Sequence, residues 1–406
     1  MRRKEVYVME LNIKQQQGLE LAVARYKDNQ KCTIIAGYAG TGKSTLVKFI
    51  IAALASEGIN PDEDVVYTSF TGKATQVLQK KGNKNVSTLH KLLFKSVPRP
   101  DGTFFRKPVE IIPYKIVVVD ECSMVPKDLL KRLASYHVHI ICLGDPGQLP
   151  PINKEDDNHL LDMPHIFLDE IMRQEDQSEI IKLTMDIRDG KPLNRFMGKE
   201  VQILDKEDLT TGMLMWADQV ICATNATRIA LNNQMRDLLG RQGMPQDGDK
   251  VICLKNDWDV ISEGGNPLVN GTIGYLKNSF ETSLKLPGYI CGGSPKTIDI
   301  LAANFISDTE EDYGALDMDK KLILTGEPGL DWKTTYRMGR NKNLKNSIPH
   351  QFTYGYAITC HKSQGSEWDN VLVIEEGFPF DKEEHKKWLY TAATRAAKKL
   401  VIIRKG

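Results

Sequence analysis

Eight consecutive residues near the start of the chain carry the strongest chemical signal in the sequence. They read Gly37-Tyr38-Ala39-Gly40-Thr41-Gly42-Lys43-Ser44, after an apolar run typical of a strand and before the amphipathic stretch Leu46 to Ala55. Glycines let a backbone wrap around phosphates, while N–H groups and a helix N-terminus face the negative charge. The segment therefore predicts a phosphate-binding loop.

Within this loop, Lys43 is expected to neutralise the β and γ oxygens of a triphosphate, and Ser44 to ligate Mg²⁺. A plain glycine-rich turn is the alternative, and the order of strand, loop and helix argues against it. The expected contacts to the nucleotide are made by Gly37, Ala39, Gly40, Thr41, Gly42, Lys43, Ser44 and Thr45.

Two further polar sites follow apolar runs. Asp120 and Glu121 come directly after Ile116 to Val119, at the end of a buried strand, where open α/β sheets bind ligands. We expect Asp120 to hold Mg²⁺ and Glu121 to orient and deprotonate an attacking water. Gln148, in the segment Gly144 to Gln148, is placed to sense the γ-phosphate. For Asp120 and Glu121, the alternative interpretation is an ordinary solvated acidic loop.

Short apolar runs separated by helix-length stretches must position these groups. Continuous apolarity indicates burial on both faces, so the pattern predicts a parallel sheet in an α/β domain. A second α/β region is predicted from about Leu168. The strand candidates are Thr33 to Ala36, Val65 to Ser69, Ile116 to Val119, His139 to Leu143, Gln219 to Ala223, Val251 to Leu254 and Val371 to Ile374.

Two insertions interrupt these regions. An Asp-Gly turn within Val97 to Gly102 predicts a small hairpin, and the stretch from Gly271 to about Pro349 predicts a β-rich subdomain. The β-rich stretch holds an acidic segment, 308–312, and a basic one, 337–345, which is either a solvated surface or a phosphate contact. The expected domains are 1A (1–93 and 114–167), 1B (94–113), 2A (168–270 and 350–406) and 2B (271–349).

Composition sets outer limits. A chain of 406 residues exceeds one ordinary core, and its net charge of +1 means that affinity for a polyanion must come from a local groove. Seven cysteines without a C-x-x-C pair argue against a disulfide framework or a zinc site, and fit a reducing cytosolic setting. The first ten residues lack an apolar export signal, and the apolar run Phe49 to Ala55 is too short to span a bilayer, so no membrane role is expected.

Taken together, these segments resemble motifs I, II and III of the superfamily 1 helicases. Leu168 to Gln174 resembles motif IV, Tyr356 to Gly365 resembles motif V, and Tyr390 to Ala396 resembles motif VI. The His-Lys-Ser-Gln-Gly of motif V and the Gln-Leu-Pro-Pro of motif III point to the RecD-like and Dda-like branch. The resemblance implies an α/β fold of two RecA-like P-loop NTPase domains, a small β-hairpin insertion and a β-rich, SH3-like insertion.

The resemblance also implies roles at the nucleotide, which would be ATP with Mg²⁺ bound in the cleft between the two domains. Arg173 and Arg395 would be arginine fingers presented by the second core domain. Gln15, in the segment Leu11 to Gln15, would read the adenine edge, although Asn12 and Gln15 also form a helix capping box, and both interpretations can hold. Gly365 and Glu367 would contact the γ-phosphate or the ribose.

Nucleic-acid contacts follow from the same resemblance. Thr68 to Ala74 resembles motif Ia, and Ser87 to His90 resembles motif Ib. Phe70 stands where many relatives have proline, so it either stacks on a base or packs in the core. Phe104 or Phe105 would act as a separation pin, or else packs the hairpin; the two histidines of the set could instead be ordinary capping or core residues. The expected contacts are Ser69, Thr71, Lys73, Thr88, His90, Phe104, Phe105, Pro151, Thr224, Asn225, Thr359, His361 and Lys362.

The expected activity is ATP-dependent movement along single-stranded DNA, 5′-to-3′ by resemblance, with unwinding of the duplex in replication, recombination or repair. The alternatives are a translocase that strips proteins from DNA, a P-loop kinase or ATPase acting on a small substrate, and an inactive nucleic-acid-binding module. Expected partners are single-stranded DNA, fork junctions and a single-strand-binding or replisome protein. The expected state is a monomer in the cytoplasm of a bacterial or phage-infected cell.

Overall fold

The computed structural model describes residues 11–98, 104–151, 157–172, 177–379 and 381–405. The side chains of Ser96, Pro98, Phe104 to Arg106 and Trp258 lie outside this description. The chain forms two compact units. Unit 1 runs to Pro192 apart from Thr71–Lys73 and Ser96–Arg106, which group with unit 2, and unit 2 continues from Leu193.

Unit 1 is built on a six-stranded parallel sheet with the order β3-β2-β6-β7-β1-β8. A separate two-stranded sheet pairs β4 with β5. The strands are β1 (Cys32–Gly37), β2 (Val65–Ser69), β3 (Val86–Thr88), β4 (Phe94–Pro98), β5 (Phe104–Pro108), β6 (Ile116–Asp120), β7 (His139–Gly144) and β8 (Ile166–Leu168). The helices are α1 (Ile13–Lys27), α2 (Lys43–Leu54), α3 (Gly72–Lys80), α4 (Leu89–Leu93), α5 (Lys127–Ala134) and α6 (Glu179–Arg188).

The parallel sheet of unit 1 is buried on both faces, as its apolar strands predict. Successive side chains of a strand point to opposite faces. Ile34 and Val117 accordingly lie in one hydrophobic cluster, and their neighbours Ile35 and Val118 lie in another. Each cluster is closed by helices of the crossovers, so the strand ends are held rigidly and can position polar side chains.

The boundary between the two units differs from the predicted one at Leu168. β8 pairs in parallel with β1, and α6 also belongs to unit 1. The first unit therefore extends to Pro192. The physical reason is that Ile166 and Leu168 are buried in the same hydrophobic cluster as Ile35, a long-range contact that no local pattern specifies.

Unit 2 contains a second RecA-like sheet with the order β19-β11-β20-β21-β10-β9, parallel except for the β9–β10 pair. Its strands are β9 (Phe196–Met197), β10 (Val201–Leu204), β11 (Gln219–Cys222), β19 (Ala357–Thr359), β20 (Trp368–Ile374) and β21 (Ala396–Ile403). The associated helices are α7 (Thr211–Trp216), α8 (Asn225–Leu238), α12 (Cys360–Ser363) and α13 (Lys382–Ala393).

A five-stranded antiparallel sheet with the order β17-β16-β15-β12-β18 forms the rest of unit 2. Between β12 and β15 in sequence, β13 and β14 form a separate two-stranded sheet. The strands are β12 (Lys250–Cys253), β13 (Asp257–Ile261), β14 (Pro267–Leu268), β15 (Ile273–Leu286), β16 (Lys296–Ser307), β17 (Asp312–Asp319) and β18 (Phe352–Tyr354). The helices are α9 (Gly288–Cys291), α10 (Lys320–Thr325) and α11 (Trp332–Arg340).

The β-rich insertion is therefore larger than the predicted 271–349. Val251 to Leu254, expected in the second α/β sheet, supplies β12 of the antiparallel sheet, and β18 closes its edge. One hydrophobic cluster joins both sheets of unit 2, with Val220 from the parallel sheet and Phe305 from the antiparallel sheet. An apolar run buried in this shared core looks the same in sequence whichever sheet it joins.

Three further features bear on function. All seven cysteines are free thiols. The described residues hold no group of three or more His, Cys, Asp or Glu side chains that could bind a metal ion by themselves. No helix within the described ranges is long and apolar enough to cross a membrane.

Candidate active site and nucleic-acid interface

The glycine-rich loop connects β1 to α2 and has the backbone that wrapping a phosphate needs. Gly40 and Gly42 adopt left-handed φ angles of 74° and 78°. At Gly42 an added Cβ would lie 2.3 Å from the Met172 sulfur and 2.5 Å from Nε2 of Gln15. Glycine is thus favoured at position 42 by conformation, and an added Cβ would also displace the ends of the Met172 and Gln15 side chains. Ser44 and Thr45 follow in the first turn of α2, whose free N–H groups face the loop.

Lys43 lies folded over its own loop. Its ammonium group donates hydrogen bonds to the carbonyls of Gly37 at 2.7 Å and Tyr38 at 2.9 Å. The Thr41 hydroxyl also donates to the Tyr38 carbonyl, at 2.8 Å. These neutral carbonyl acceptors are weaker partners for an ammonium ion than phosphate oxygens are, so a bound triphosphate can displace them.

Gln15 is buried and uses both ends of its side-chain amide. Its Oε1 accepts from the N–H of Asn12 at 3.1 Å, and the Asn12 side chain accepts from the N–H of Gln15 at 2.8 Å. Its Nε2 donates to the carbonyl of Thr41 at 3.2 Å. The predicted capping box is confirmed. The same amide also links α1 to the phosphate-binding loop; contact with adenine stays a prediction.

Asp120 and Glu121 stand at the carboxyl end of β6. Asp120 pairs in register with Ser69 of β2, and Gly144 pairs with Ala36 of β1, so these strand ends share one edge of the sheet. Asp120 Oδ1 accepts from the N–H of Glu121 at 3.0 Å, and Glu121 has a left-handed φ of 50°. The strand thus places the two carboxyl groups at the sheet edge from which the glycine-rich loop also leaves β1.

The pKa of Asp120 is raised from 3.8 to about 6. Burial of the carboxyl group is the largest cause, followed by repulsion from the Glu121 carboxylate. Lys81 and Lys43 act in the opposite direction and favour the charged form. A site with a surplus of negative charge and poor solvation favours a cation, so the oxygens of Ser44 and Asp120 fit a magnesium ion.

Gln148 follows β7 in the same unit. The residue is 8% exposed, and its Oε1 is buried without a hydrogen-bond partner among the residues that the structure describes. Asp145 organises this turn, because its Oδ1 accepts from the N–H of Gly147 at 2.9 Å and its carbonyl accepts from that of Gln148 at 3.2 Å. An unpaired buried acceptor is costly, and a bound ligand or water can satisfy it. Pro151, three residues further on, is half-buried.

Of the two predicted arginine fingers, the structure describes only Arg395. Arg395 belongs to unit 2 and is 4% exposed. Its guanidinium donates to the Thr391 carbonyl at 3.0 Å, to the Ser366 carbonyl at 3.1 Å and to the Thr394 hydroxyl at 3.0 Å. Gly365 has a left-handed φ of 71°, and Glu367 follows it before β20. The hydrogen bonds of Arg395 thus join motif VI, to which it belongs, to the end of motif V.

Arg173 lies outside the described residues. The chain on either side of it belongs to unit 1, because the N–H of Met172 donates to the carbonyl of Gly40 at 3.0 Å and α6 follows in the same unit. The expectation that the second core domain presents the Leu168 to Gln174 segment is therefore wrong for its described part, Leu168 to Met172, which groups with unit 1 and reaches the phosphate-binding loop at Gly40. The role of Arg173 stays a prediction.

The predicted nucleic-acid contacts of unit 2 are largely half-buried. Thr359 precedes α12, where burial lowers the pKa of both His361 and Lys362. The Lys362 ammonium donates to Asn270 Oδ1 at 2.7 Å. Thr71 and Lys73 group with this unit, and Lys73 forms a 2.6 Å ion pair with Asp308.

Thr224 is engaged by a residue that the sequence interpretation missed. The Glu376 carboxylate accepts from the N–H groups of Ala223 at 2.6 Å and Thr224 at 3.0 Å, and from the hydroxyls of Thr224 and Thr227. Asn225 accepts from Arg228 at 3.1 Å. Glu376 therefore occupies the anion position at the start of α8. Its sequence signal is the one that singled out Asp120, an acid just after a buried strand.

The contacts predicted in unit 1 are divided between core and surface. Ser69 is 1% exposed, and Thr88 is the N-cap of α4, where it accepts from the N–H of Lys91. Phe70 packs on a core cluster, which confirms the core interpretation, and its ring lies 5.6 Å from that of His90. The side chains of Phe104 and Phe105 lie outside the described residues, although β5 itself is in place.

Comparison with known proteins accounts for this arrangement. Residues 10–211 match the AAA domain family, and residues 354–403 match the UvrD-like helicase C-terminal domain family. These two matches cover the glycine-rich loop, Asp120-Glu121 and Gln148 in unit 1, and motifs V and VI in unit 2. The chain is thus similar to the superfamily 1 helicases of the RecD-like and Dda-like branch in both of its units.

Two relatives illustrate the branch. The ATP-dependent RecD2 DNA helicase of Deinococcus radiodurans is 25% identical over 397 residues, which cover 90% of this chain and 46% of that protein. The ATP-dependent DNA helicase dda of phage T4 is 28% identical over 190 residues, which cover 44% of this chain and 42% of that protein. The matched regions thus span less than half of the length of either relative.

A solved structure supports the fold of this chain. It concerns DNA unwinding at forked double-stranded DNA by two coordinating Pif1 helicases, and it superposes with a TM-score of 0.55 at 18% identity, covering 97% of this chain and 92% of that one. The predicted α/β class with two RecA-like domains is confirmed. The SH3-like character of the β-rich insertion stays a prediction.

Proposed function

We propose that this protein is an ATP-dependent DNA helicase that moves along single-stranded DNA, 5′-to-3′, and separates the strands of a duplex. The observation that supports the proposal is the phosphate-binding loop with Lys43, whose charge acts on the buried carboxyl group of Asp120 at the end of a neighbouring part of the same sheet. Gln148, whose buried Oε1 has no hydrogen-bond partner among the described residues, follows β7 of that sheet. The second RecA-like sheet, with motifs V and VI around Arg395, supports a motor rather than a small-molecule kinase.

In the proposed hydrolysis, loop N–H groups bind the phosphates of ATP, and the Lys43 ammonium exchanges its carbonyl partners for phosphate oxygens. Glu121 accepts a proton from the attacking water, and the Gln148 amide contacts the γ-phosphate or that water. Ser44 and Asp120 would hold Mg²⁺, which neutralises charge on the β and γ oxygens. Arg395 and Arg173 are proposed to stabilise the charge that develops as the bond to the γ-phosphorus breaks.

The proposed DNA track comprises the predicted contacts in motifs Ia, Ib and V, which offer hydroxyls, backbone amides and lysines suited to phosphates. Phe104 or Phe105, on the β4–β5 hairpin, is proposed as the pin that meets the fork. Replacement of both by Ala should impair strand separation more than ATP turnover. Equal loss of both activities would remove the pin from the proposal.

ATP turnover with and without single-stranded DNA tests the motor directly. Addition of an oligonucleotide should stimulate turnover, and Lys43→Ala should abolish it. Forked duplexes with only a 5′ or only a 3′ tail then test unwinding and polarity. Stimulated turnover without strand separation would favour a translocase that removes proteins. Turnover indifferent to every oligonucleotide would overturn the motor itself.

We further propose that the protein acts as a monomer in the cytoplasm of a bacterial or phage-infected cell, on single-stranded DNA and fork junctions. A single-strand-binding protein or a replisome component is the proposed protein partner. The free thiols of all seven cysteines are compatible with a reducing compartment. Sedimentation of the protein with and without a forked duplex checks the monomeric state.

A further inference from the structure

The helix α11 and its neighbour α9 expose three large aromatic rings. Trp332 is 72% exposed, Tyr289 71% and Tyr336 57%. Trp332 and Tyr336 are four residues apart and therefore share one side of α11. Large exposed rings of this kind, close together on a surface, mark a binding site more often than an isolated ring does.

The inner side of α11 explains why these rings point outward. Met338 is fully buried in a cluster with Leu286 and Ile290, and Thr334 is also buried. The residues at the intervening positions must then face solvent. The rings of Trp332 and Tyr336 are thus carried by a helix whose other side is anchored in a hydrophobic core.

Positive charge accompanies the rings. Between 331 and 345 the sequence holds five Lys or Arg residues against one Asp, in a protein whose net charge is +1. The exposed ones include Lys333 and Arg340, and the guanidinium of Arg340 donates to the Tyr336 hydroxyl at 2.9 Å. The acid of this stretch, Asp331, is used as the N-cap of α11, where it accepts from the N–H of Thr334 at 2.9 Å.

We propose that the α11 face, defined as Tyr289, Trp332, Lys333, Tyr336 and Arg340, binds single-stranded DNA as a second contact site outside the motor motifs. Flat rings offer a stacking surface to unpaired bases, and the two cations pair with phosphates. In duplex DNA the faces of the bases are stacked on one another, so they cannot stack on these rings. The face therefore fits single-stranded rather than duplex DNA. The inference rests on the proposed function, because that function supplies the single strand.

The spacing fits such a ligand. Trp332 and Tyr336 are separated by about 6 Å along the helix axis, and Arg340 lies about 6 Å beyond. This length accommodates two or three nucleotides, with two bases on the rings. Binding at the α11 face is expected to add affinity for strands long enough to occupy both this face and the motor track.

Photo-cross-linking identifies the contact. The full chain is irradiated with a 30-nucleotide oligo(dT) carrying 5-iodouracil, and the cross-linked peptides are sequenced. Adducts on Tyr289, Trp332 or Tyr336 are expected. Adducts confined to motifs Ia, Ib and V would overturn the proposal for the α11 face and leave the proposed helicase intact. Absence of any adduct, together with unstimulated ATP turnover, would overturn both.

Two double variants measure the contribution of the aromatic rings to binding of single-stranded DNA. Trp332→Ala with Tyr336→Ala should weaken binding of the 30-nucleotide strand by about tenfold or more. Phe280→Ala, which removes another exposed ring of unit 2, is the matched control and should change nothing. Trp332→Phe with Tyr336→Phe should restore binding, since the stacking surface returns. Unchanged affinity in the Ala variant would sink the proposal.

Charge reversal provides the second measurement. Lys333→Glu with Arg340→Glu should lower the dependence of log K on log salt by about 1.4, for two phosphate contacts. Lys127→Glu with Lys131→Glu, on α5, changes the net charge equally and should leave the salt slope unaltered. ATP turnover stimulated by an oligonucleotide of eight residues should persist in all variants. If the α11 variants instead lose binding only of an acidic peptide, the site is a protein-docking surface and the DNA proposal fails.

Discussion

The side-chain amide of Gln15 donates a hydrogen bond to the carbonyl of Thr41, and the same amide accepts from the N–H of Asn12. The start of α1 and the phosphate-binding loop are therefore joined through one buried side chain. Because the amide is 1% exposed, loss of either bond leaves a buried polar group without its partner. The conformation of the loop thus depends on a residue outside it.

Replacement of Gln15 by Ala should weaken nucleotide binding by about tenfold and lower the free energy of unfolding by about 1–3 kcal/mol, because two buried hydrogen bonds are lost. Gln16→Ala is the matched control, since Gln16 is exposed and, among the described residues, its side chain bonds only to Glu20 on its own helix. Titration with a fluorescent ATP analogue and urea denaturation provide the measurements. Equal behaviour of the two variants would contradict the link to the loop.

Gly42→Ala should abolish nucleotide binding, because the new Cβ meets the Met172 sulfur and the Gln15 amide. Gly58→Ala is the matched control, with a left-handed φ of 82° and no atom of the described residues within 4 Å of the added Cβ. Both variants carry the backbone strain, which costs about 1 kcal/mol of stability. Only Gly42→Ala should lose affinity in the titration with the fluorescent ATP analogue. If Gly42→Ala kept its affinity, the loop would have to be able to rearrange around the new Cβ.

Affinity for the magnesium complex of a nucleotide should fall as the pH drops from 8 to 5. Asp120 takes up a proton near pH 6, and a proton competes with a cation for the carboxylate. Asp120→Asn should bind weakly at every pH and show a flat profile. Isothermal titration at several pH values checks this. A wild-type profile without a decline near pH 6 would refute the assignment.

The same pKa makes a prediction about stability. A carboxyl group whose folded pKa is raised binds more protons in the folded state between pH 3.8 and about 6, so stability from this group falls as the pH rises through that window. Asp120→Asn should therefore be more stable than the wild type at pH 8, by up to about 3 kcal/mol, and the difference should shrink towards pH 4. Urea denaturation at both pH values measures it.

Glu376→Gln should destabilise the protein by about 1–3 kcal/mol, since a charged acceptor at the start of α8 is lost. Burial alone would raise the pKa of Glu376, but hydrogen bonds from Thr227, Thr224 and Ala223 outweigh it and hold the pKa below the usual 4.5. The contribution of Glu376 is therefore present at neutral pH and disappears in acid. The matched control is Glu383→Gln, in the exposed first turn of α13. If Thr224 contacts DNA as predicted, Glu376→Gln should also tighten binding of oligo(dT), whereas unchanged binding would place Thr224 outside the track.

Arg395→Lys should retain nucleotide binding and slow ATP turnover by orders of magnitude, as expected for an arginine finger. The guanidinium has three intra-unit acceptors, so the free energy of unfolding should also fall. Lys398→Ala, at an exposed position three residues away, is the control for a lost cation. Binding, turnover and denaturation are measured on the same preparations. Normal turnover would remove Arg395 from the catalytic set.

Local patterns predicted a large part of the fold and of the nucleotide site. Val65 to Ser69 is β2 residue for residue, and Ile116 to Val119 became β6 with Asp120 as its last residue. The signals are contiguous in the chain: a buried strand needs an apolar run, and a phosphate loop needs its glycines and lysine in consecutive positions. The sequence by itself therefore determined the four central strands of the first parallel sheet, the loop around Lys43 and the acids at the end of β6.

Only the tertiary structure decided the relationships between residues distant in the chain. Ile166–Leu168 joined the first sheet and Lys250–Cys253 the antiparallel one, because burial against a particular neighbour selects the sheet, and an apolar run is equally suited to either. Glu376 reached Thr224 across 152 positions for the same reason. The sequence specifies which residues must be buried, whereas long-range packing specifies which partners they meet.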